Sequence, residues 1–267
     1  MRKSAFSVFI VCCCALMLSA QLFALPALGE SEPVDVLAPG LPILVNKDYP
    51  LDEDFIPADL VYLTDILDPS LVRMKNNNTK IRAVRAAVEA LETMLEAAEA
   101  DGIRNWQIST AYRSIQDQES LLNNKIRSYQ KNNPKWSRSR AKSAALRTVA
   151  EPRCSEHHLG LAFDVNVPGT TFKGTKQCKW LHAHCWEYGF IVRYQEDKTK
   201  VTGFAAEAWH IRYVGVEHSL YMRDNNFCLE EYLEAVQAEP EPGLIVEDMD
   251  EDEIDFETLF AGKKPAA

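Results

Sequence analysis

Ser155-Glu-His157-His-Leu-Gly160-Leu-Ala-Phe-Asp164 sets an imidazole and a carboxylate seven positions apart, with a glycine between them. Glu207-Ala-Trp-His210 sets another carboxylate three residues before another imidazole. Two imidazoles and one carboxylate are the donor set of a catalytic zinc site, which keeps one coordination position open. A carboxylate outside that shell can take a proton from water at the metal. Residue types therefore point to His157, Asp164 and His210 as ligands and Glu207 as general base. On ligand logic alone, two separated histidine segments are more often structural than catalytic.

The flanking residues narrow the choice. Ser-Glu-His-x-x-Gly-x-Ala-x-Asp, followed downstream by Glu-x-Trp-His-x-Arg-Tyr-Val-Gly, resembles the VanY-type D-alanyl-D-alanine carboxypeptidases. These zinc peptidases share a fold with lysostaphin-type peptidases and the hedgehog signalling domain. Ser109-Thr-Ala-Tyr112-Arg113-Ser114-Ile-Gln-Asp-Gln118 is similar to the family's Ser-Gly-Tyr-Arg-Ser…Gln element, and Leu44-Val-Asn-Lys47 to the start of its domain. The motifs stand in the family's order across residues 42–218.

The resemblance implies a peptidase that removes the terminal D-alanine of a peptidoglycan stem peptide. It places His157, Asp164 and His210 on zinc, Glu207 at the base position, and Arg113 against the scissile carbonyl or a substrate carboxylate. It also implies substrate contacts for Ser155 and Gln118, with Tyr112 and Trp209 as further candidates. Two alternatives share these motifs: an LD-carboxypeptidase acting on tetrapeptide stems, and a peptidoglycan-binding module without catalysis. The sequence departs from the family at Ala208, where Pro is usual, at Ala111, where Gly is usual, and at His158, where Gln is frequent. His158 reads as pointing away from the metal, because adjacent strand residues face opposite sides.

These residues need elements to hold them. Ile81, Val84, Val88, Leu91 and Leu95 recur at helical spacing, and the pattern stops at Asp101-Gly102. Trp106–Tyr112 reads as a strand, and Ser114-Ile-Gln-Asp117 opens a helix through Leu121, Leu122 and Ile126. A basic polar stretch, Lys131 to Arg147, carries another helix from Arg138 onward. Leu161–Val165, Phe190–Tyr194 and His210–Val214 are short β runs, Trp180–Tyr188 is helical, and a last helix covers Leu229–Gln237. Helices and strands mix without βαβ alternation, so the expected class is α+β. With the resemblance, the expected architecture is a small antiparallel sheet with flanking helices around a zinc cleft, hedgehog/DD-peptidase-like.

The net charge of −10 over 267 residues is uneven. Segment 239–267 holds ten Asp/Glu against two Lys, the first 29 residues hold only Arg2 and Lys3, and residues 30–238 sum to −4. This balance gives no expectation of a nucleic-acid partner. Arg2-Lys3, the apolar run Val8–Leu18 and Ala27-Leu-Gly29 read as a secretory signal over 1–29, with an uncleaved membrane tether as the alternative. Residues 30–41 read as a linker, 42–238 as one catalytic domain, and 239–267 as a disordered acidic tail. The expected location is exported: extracellular, cell-wall or membrane-associated. Cys154, Cys178, Cys185 and Cys228 permit two disulfides in any of three connectivities, or free buried thiols.

Overall fold

The structure, a computed structural model, describes residues 32–38 and 40–237. The expected signal segment and acidic tail lie outside the described residues. Fourteen helices and strands are used below. In chain order these are β1 (Leu60–Tyr62), β2 (Val72–Met74), β3 (Arg82–Val84), α1 (Arg85–Ala100), β4 (Trp106–Thr110), α2 (Ile115–Asn132) and α3 (Arg138–Ala145). There follow β5 (Ala162–Asn166), α4 (Lys176–His184), β6 (Phe190–Tyr194), α5 (Thr199–Thr202), β7 (Glu207–Tyr213), α6 (Val216–Asp224) and α7 (Leu229–Gln237).

Five strands form one sheet in the order β2-β4-β5-β7-β6. β4, β5, β7 and β6 pair antiparallel, while β2 joins β4 in parallel. The sheet is therefore mixed rather than wholly antiparallel, and β1 with β3 makes a separate antiparallel pair. The α+β class holds. The three-residue strands escaped the sequence reading because so short a run has no measurable alternation. Ile81 and Val84, read as the first turn of a helix, instead flank and end β3, and α1 begins at Arg85.

α1 turns Ala87, Val88, Leu91, Met94, Leu95 and Ala98 into the main core. There they share one cluster with Trp106, Ile108, Phe163, Val165 and Ile211 of the sheet and with Trp180 and Trp186. Gly102 ends the helix at φ 75°, a conformation that costs glycine no Cβ clash. The α2–α3 hairpin has its own smaller core of Leu122, Ile126, Ala141 and Ala145, capped by the stacked rings of Tyr129 and Trp136. Both helices start on a serine whose hydroxyl accepts a backbone N–H, Ser114 from Asp117 and Ser137 from Arg140.

Part of the segment read as a linker is tied to the domain. Val34 N–H donates to Ile56 O, Ala58 N–H donates to Val34 O, and Val36 is buried. All four described cysteines are thiols. Among the described residues, no helix is long and apolar enough to cross a membrane.

Candidate active site

The sheet brings two of the three expected ligands face to face. Asp164 of β5 and His210 of β7 are register partners in an antiparallel ladder. Asp164 Oδ1 lies 3.2 Å from His210 Nδ1. His157 arrives from a one-turn 3-10 segment, Glu156–Leu159, and its Nε2 lies 3.6 Å from the same Oδ1. Gly160 closes that turn at φ 67°, where an added Cβ would stand 3.0 Å from Leu60 and 3.2 Å from Val84. Only glycine fits both the backbone angle and the space.

Two ladder irregularities aim the remaining groups. Residues three apart on a regular strand face opposite sides of a sheet. Glu207 and His210 nonetheless share the cleft, because the β6–β7 pairing shifts register between Val192/Tyr194 and Ile211/Glu207. A second shift, between Ile108 and Thr110 of β4, lies opposite Asp164. Bulges of this kind re-aim side chains beside active sites. Glu207 Oε2 comes within 3.9 Å of His210 Nδ1.

A short strap fixes Arg113. Ala111 O accepts from His157 Nδ1 at 2.7 Å, Arg113 N–H donates to His157 O, and Arg113 O lies 2.7 Å from His158 Nδ1. The Arg113 guanidinium donates to Gln118 Oε1 at 2.5 Å, and Gln118 Nε2 donates to Ala150 O at 2.7 Å. Gln118 is buried and thereby links Arg113 to the far end of the α2–α3 hairpin. His158 does not point outward. It is buried, and its Nε2 accepts from Arg153 N–H at 3.2 Å, because residues 156–159 form a 3-10 turn and strand alternation does not apply.

The cleft holds a cavity of about 210 Å³. Arg113, Gln118, Ser155, His157, Asp164, Glu207, Trp209 and His210 all line it. Tyr112 is not brought there; its ring lies under the Arg82 guanidinium at 5.4 Å. Tyr194 and Phe204 do line the cleft, with ring centroids 4.8 Å apart, and the sequence reading had placed neither at the site. A larger groove of about 400 Å³ is lined by Val36–Ala38 and Gly40–Pro42 on one segment and by Tyr213–His218 on another. The metal-type cluster found among the described residues is His157, Asp164 and His210, away from that groove.

Glu156 was also missed. Its carboxylate is fully buried, accepts from Arg193 Nε at 2.7 Å, and lies 3.6 Å from both Arg212 Nη1 and His210 Nε2. Arg193 in turn forks onto Glu230 of α7 through both terminal nitrogens, at 2.9 and 2.6 Å. Burial alone would raise the Glu156 carboxyl, but Arg193, His210 and Arg212 hold it well below the usual carboxylate range. Burial likewise opposes ionisation of Asp164, and His157 and His210 overcome it. Glu207 goes the other way: burial pushes it up to about 7 despite His210 and Arg113. Two carboxylates held ionised and a third poised near neutrality divide structural from acid–base duty.

The donors fit zinc. One ligand atom from each of His157, Asp164 and His210 lies within 4.8 Å of the others. The bond from His157 Nδ1 to Ala111 O leaves Nε2 turned to Asp164. Nδ1 of His210 faces Asp164, so its Nε2 faces the buried Glu156 Oε2, and neither of these last two atoms has a hydrogen bond within 3.5 Å. A ligating imidazole whose other nitrogen meets a carboxylate or a carbonyl is the usual outer arrangement of a zinc site.

Two imidazoles and a carboxylate on and beside the central strands, with a glutamate poised near neutrality and a strapped arginine, are the group pattern of a zinc hydrolase centre. The family model described as VanY, D-alanyl-D-alanine carboxypeptidase, matches residues 80–216. A D-alanyl-D-alanine carboxypeptidase of Enterococcus faecalis is 38% identical over 143 residues, covering 54% of this chain and 52% of that protein. The solved structure of a vancomycin-resistance D,D-pentapeptidase VanY mutant in complex with Zn(II) is 35% identical, with a TM-score of 0.56, covering 72% of this chain and 97% of that one. The LdcB LD-carboxypeptidase structure is 32% identical, with a TM-score of 0.60, covering 72% and 84%. This chain belongs to the VanY family. It spans about half the length of the first curated relatives it matches.

Proposed function

We propose that the protein is a zinc-dependent D-alanyl-D-alanine carboxypeptidase that trims the terminal D-alanine from peptidoglycan stem peptides. The observation that carries this reading is the buried His157–Asp164–His210 cluster with Glu207 and Arg113 turned into the same cleft. Zinc bound there supplies a Lewis acid and lowers the pKa of water at the site. Glu207, poised near neutrality, takes a proton from the attacking water and returns it to the leaving amine. Arg113 stays positive and is held by Gln118, so it offers fixed charge where anionic oxygen develops or where the substrate's terminal carboxylate sits. Ser155 and Trp209 supply the polar and aromatic walls for the peptide end.

A pentapeptide stem incubated with the zinc-loaded protein releases D-alanine, and a chelator stops the reaction. The similarity to an LD-carboxypeptidase favours a second reading, in which the substrate is a tetrapeptide stem. Mass analysis of paired tetrapeptide and pentapeptide digests separates the two. Hydrolysis of neither peptide at full zinc occupancy would leave a binding module. We infer export to the cell exterior from the basic start and apolar run of residues 2–18. Cell fractionation, with the mass of the mature chain, checks both export and any membrane tether.

A further inference from the structure

The near-neutral charge of residues 30–238 is a cancellation. Residues 121–150, covering most of α2 and all of α3, hold eight Lys/Arg and no Asp or Glu. All of the eight but Lys125 are exposed. Only Lys142 meets a carboxylate among the described residues, Glu151 at 2.7 Å. Arg127 and Arg138 donate instead to Asn124 and Asn123, while Lys125 and Arg140 lie over Tyr129 and Trp136. The 18 residues of α2 span about 27 Å, so this charge is strung out rather than gathered at one point.

The cationic surface is continuous with the cleft. Leu121 of α2 and Thr148, Val149 and Ala150 beyond α3 line the cavity beside Arg113. Lys125 stands one helical turn from Leu121, and Arg147 directly precedes Thr148. Across residues 115–150, Leu121 is the one exposed large apolar side chain. A bilayer or a folded acidic protein needs an apolar patch at its contact, which this surface lacks. A hydrated chain with repeated anionic groups needs none. Guanidiniums fork onto carboxylates, and weak ion pairs on one polymer reinforce each other through effective concentration. The proposed substrate is such a chain, because every stem peptide ends in a carboxylate. Hydrolysis at the cleft releases D-alanine and leaves a new carboxylate at the end of the stem, so the number of anionic stem ends is unchanged by the reaction.

We propose that the α2–α3 hairpin is a second binding surface for polymeric peptidoglycan, holding the carboxylate-ended stems that neighbour the one in the cleft. Attachment there outlasts each cut, so the polymer is favoured over a free stem peptide, and salt removes the advantage. The choice of polymer rests on the carboxypeptidase reading, whereas the attachment itself is read without hydrolysis.

Co-sedimentation of the zinc-loaded full-length chain with purified peptidoglycan tests it. The peptidoglycan carries no phosphate polymer, and its stems are tripeptides, which offer neither carboxypeptidase reading a bond to cut. The wild-type chain sediments at low salt and is released at roughly 1 M, where charges are screened beyond about 3 Å. The Arg127→Gln/Lys131→Gln/Lys135→Gln/Arg147→Gln chain binds about tenfold more weakly, and Lys131→Gln/Lys135→Gln loses part of the same affinity. A Lys75→Gln/Lys80→Gln/Lys179→Gln chain, changed at exposed lysines off the hairpin, binds as wild type does. On pentapeptide stems, the fourfold variant's KM rises about tenfold more for the polymer than for the soluble peptide. Absence of wild-type sedimentation, an equal loss in the off-hairpin variant, or binding only to walls that retain a phosphodiester polymer overturns the proposal. Failure to hydrolyse either soluble peptide would instead remove the carboxypeptidase reading and leave the sedimentation result standing.

Discussion

The two walls of the cleft are built by opposite means. The β5–β7 wall holds its ligands through central strands and a desolvated charge network, Glu156–Arg193–Glu230 with Arg212, backed by the main core. The α2–α3 wall rests on a small core of four buried residues under the Tyr129–Trp136 stack, with polar ties from Gln118 to Ala150 and from Arg138 to Asn123. The first arrangement fixes the atoms whose separation sets the chemistry. The second leaves a wall held by a smaller buried core. The comparison teaches that rigidity in this fold is concentrated where donor atoms must not drift.

Changing the reacting group on the stiff wall gives the largest effect. Glu207→Gln lowers kcat by about 10²–10⁴-fold, while metal analysis still finds one zinc per chain. An unchanged kcat would remove Glu207 from the base position. Next comes the network beneath it. Arg193→Met leaves the buried Glu156 carboxylate uncompensated and costs about 3–5 kcal/mol in urea unfolding. Glu156→Gln weakens zinc binding by about 10–100-fold in competition with a chromogenic chelator, because His210 loses its charged partner.

Acid reads the same network. Glu156 and Asp164 titrate below their unfolded values, so the stability they contribute is present above the ordinary carboxylate range and is lost as pH falls through the folded values. Thermal melts of wild type therefore drop below about pH 4, and those of Arg193→Met drop less. A matched pair of small deletions then compares the walls directly. Ile126→Val and Ile211→Val each cost about 0.5–1.5 kcal/mol. Amide exchange accelerates only within residues 115–150 in the first and across the sheet in the second; equal acceleration in both would make the walls one cooperative unit. The smallest effect is Lys142→Ala, which removes a half-exposed ion pair and lowers the free energy of urea unfolding by less than about 1 kcal/mol.

The ligands were legible because coordination restricts residue type and two short motifs carry them. Their arrangement was only partly so. Glu156 sits within a motif that was read, but its meaning depends on Arg193 and Glu230, far along the chain, and on burial. β7 was read from His210 onward, whereas it begins at Glu207; the bulge that lets Glu207 face the cleft also breaks the alternation by which a strand is recognised. His158 was misplaced because a 3-10 turn was treated as strand. The caps at Ser114 and Gly102 and the span of α7 were readable because each depends on local residue chemistry alone.

The Arg193–Glu230 fork has a bearing on where this protein can be cut. The match to the family model ends at residue 216, which invites a truncation just beyond β7. Such a cut would remove Glu230 and leave Arg193, 1% exposed, with only one of its two carboxylates. That carboxylate is Glu156, which also faces His210, so the guanidinium would draw on the charge that steadies a ligand. Keeping both carboxylates on Arg193 therefore requires the chain through α7, and the boundary of the family match falls short of the boundary set by charge.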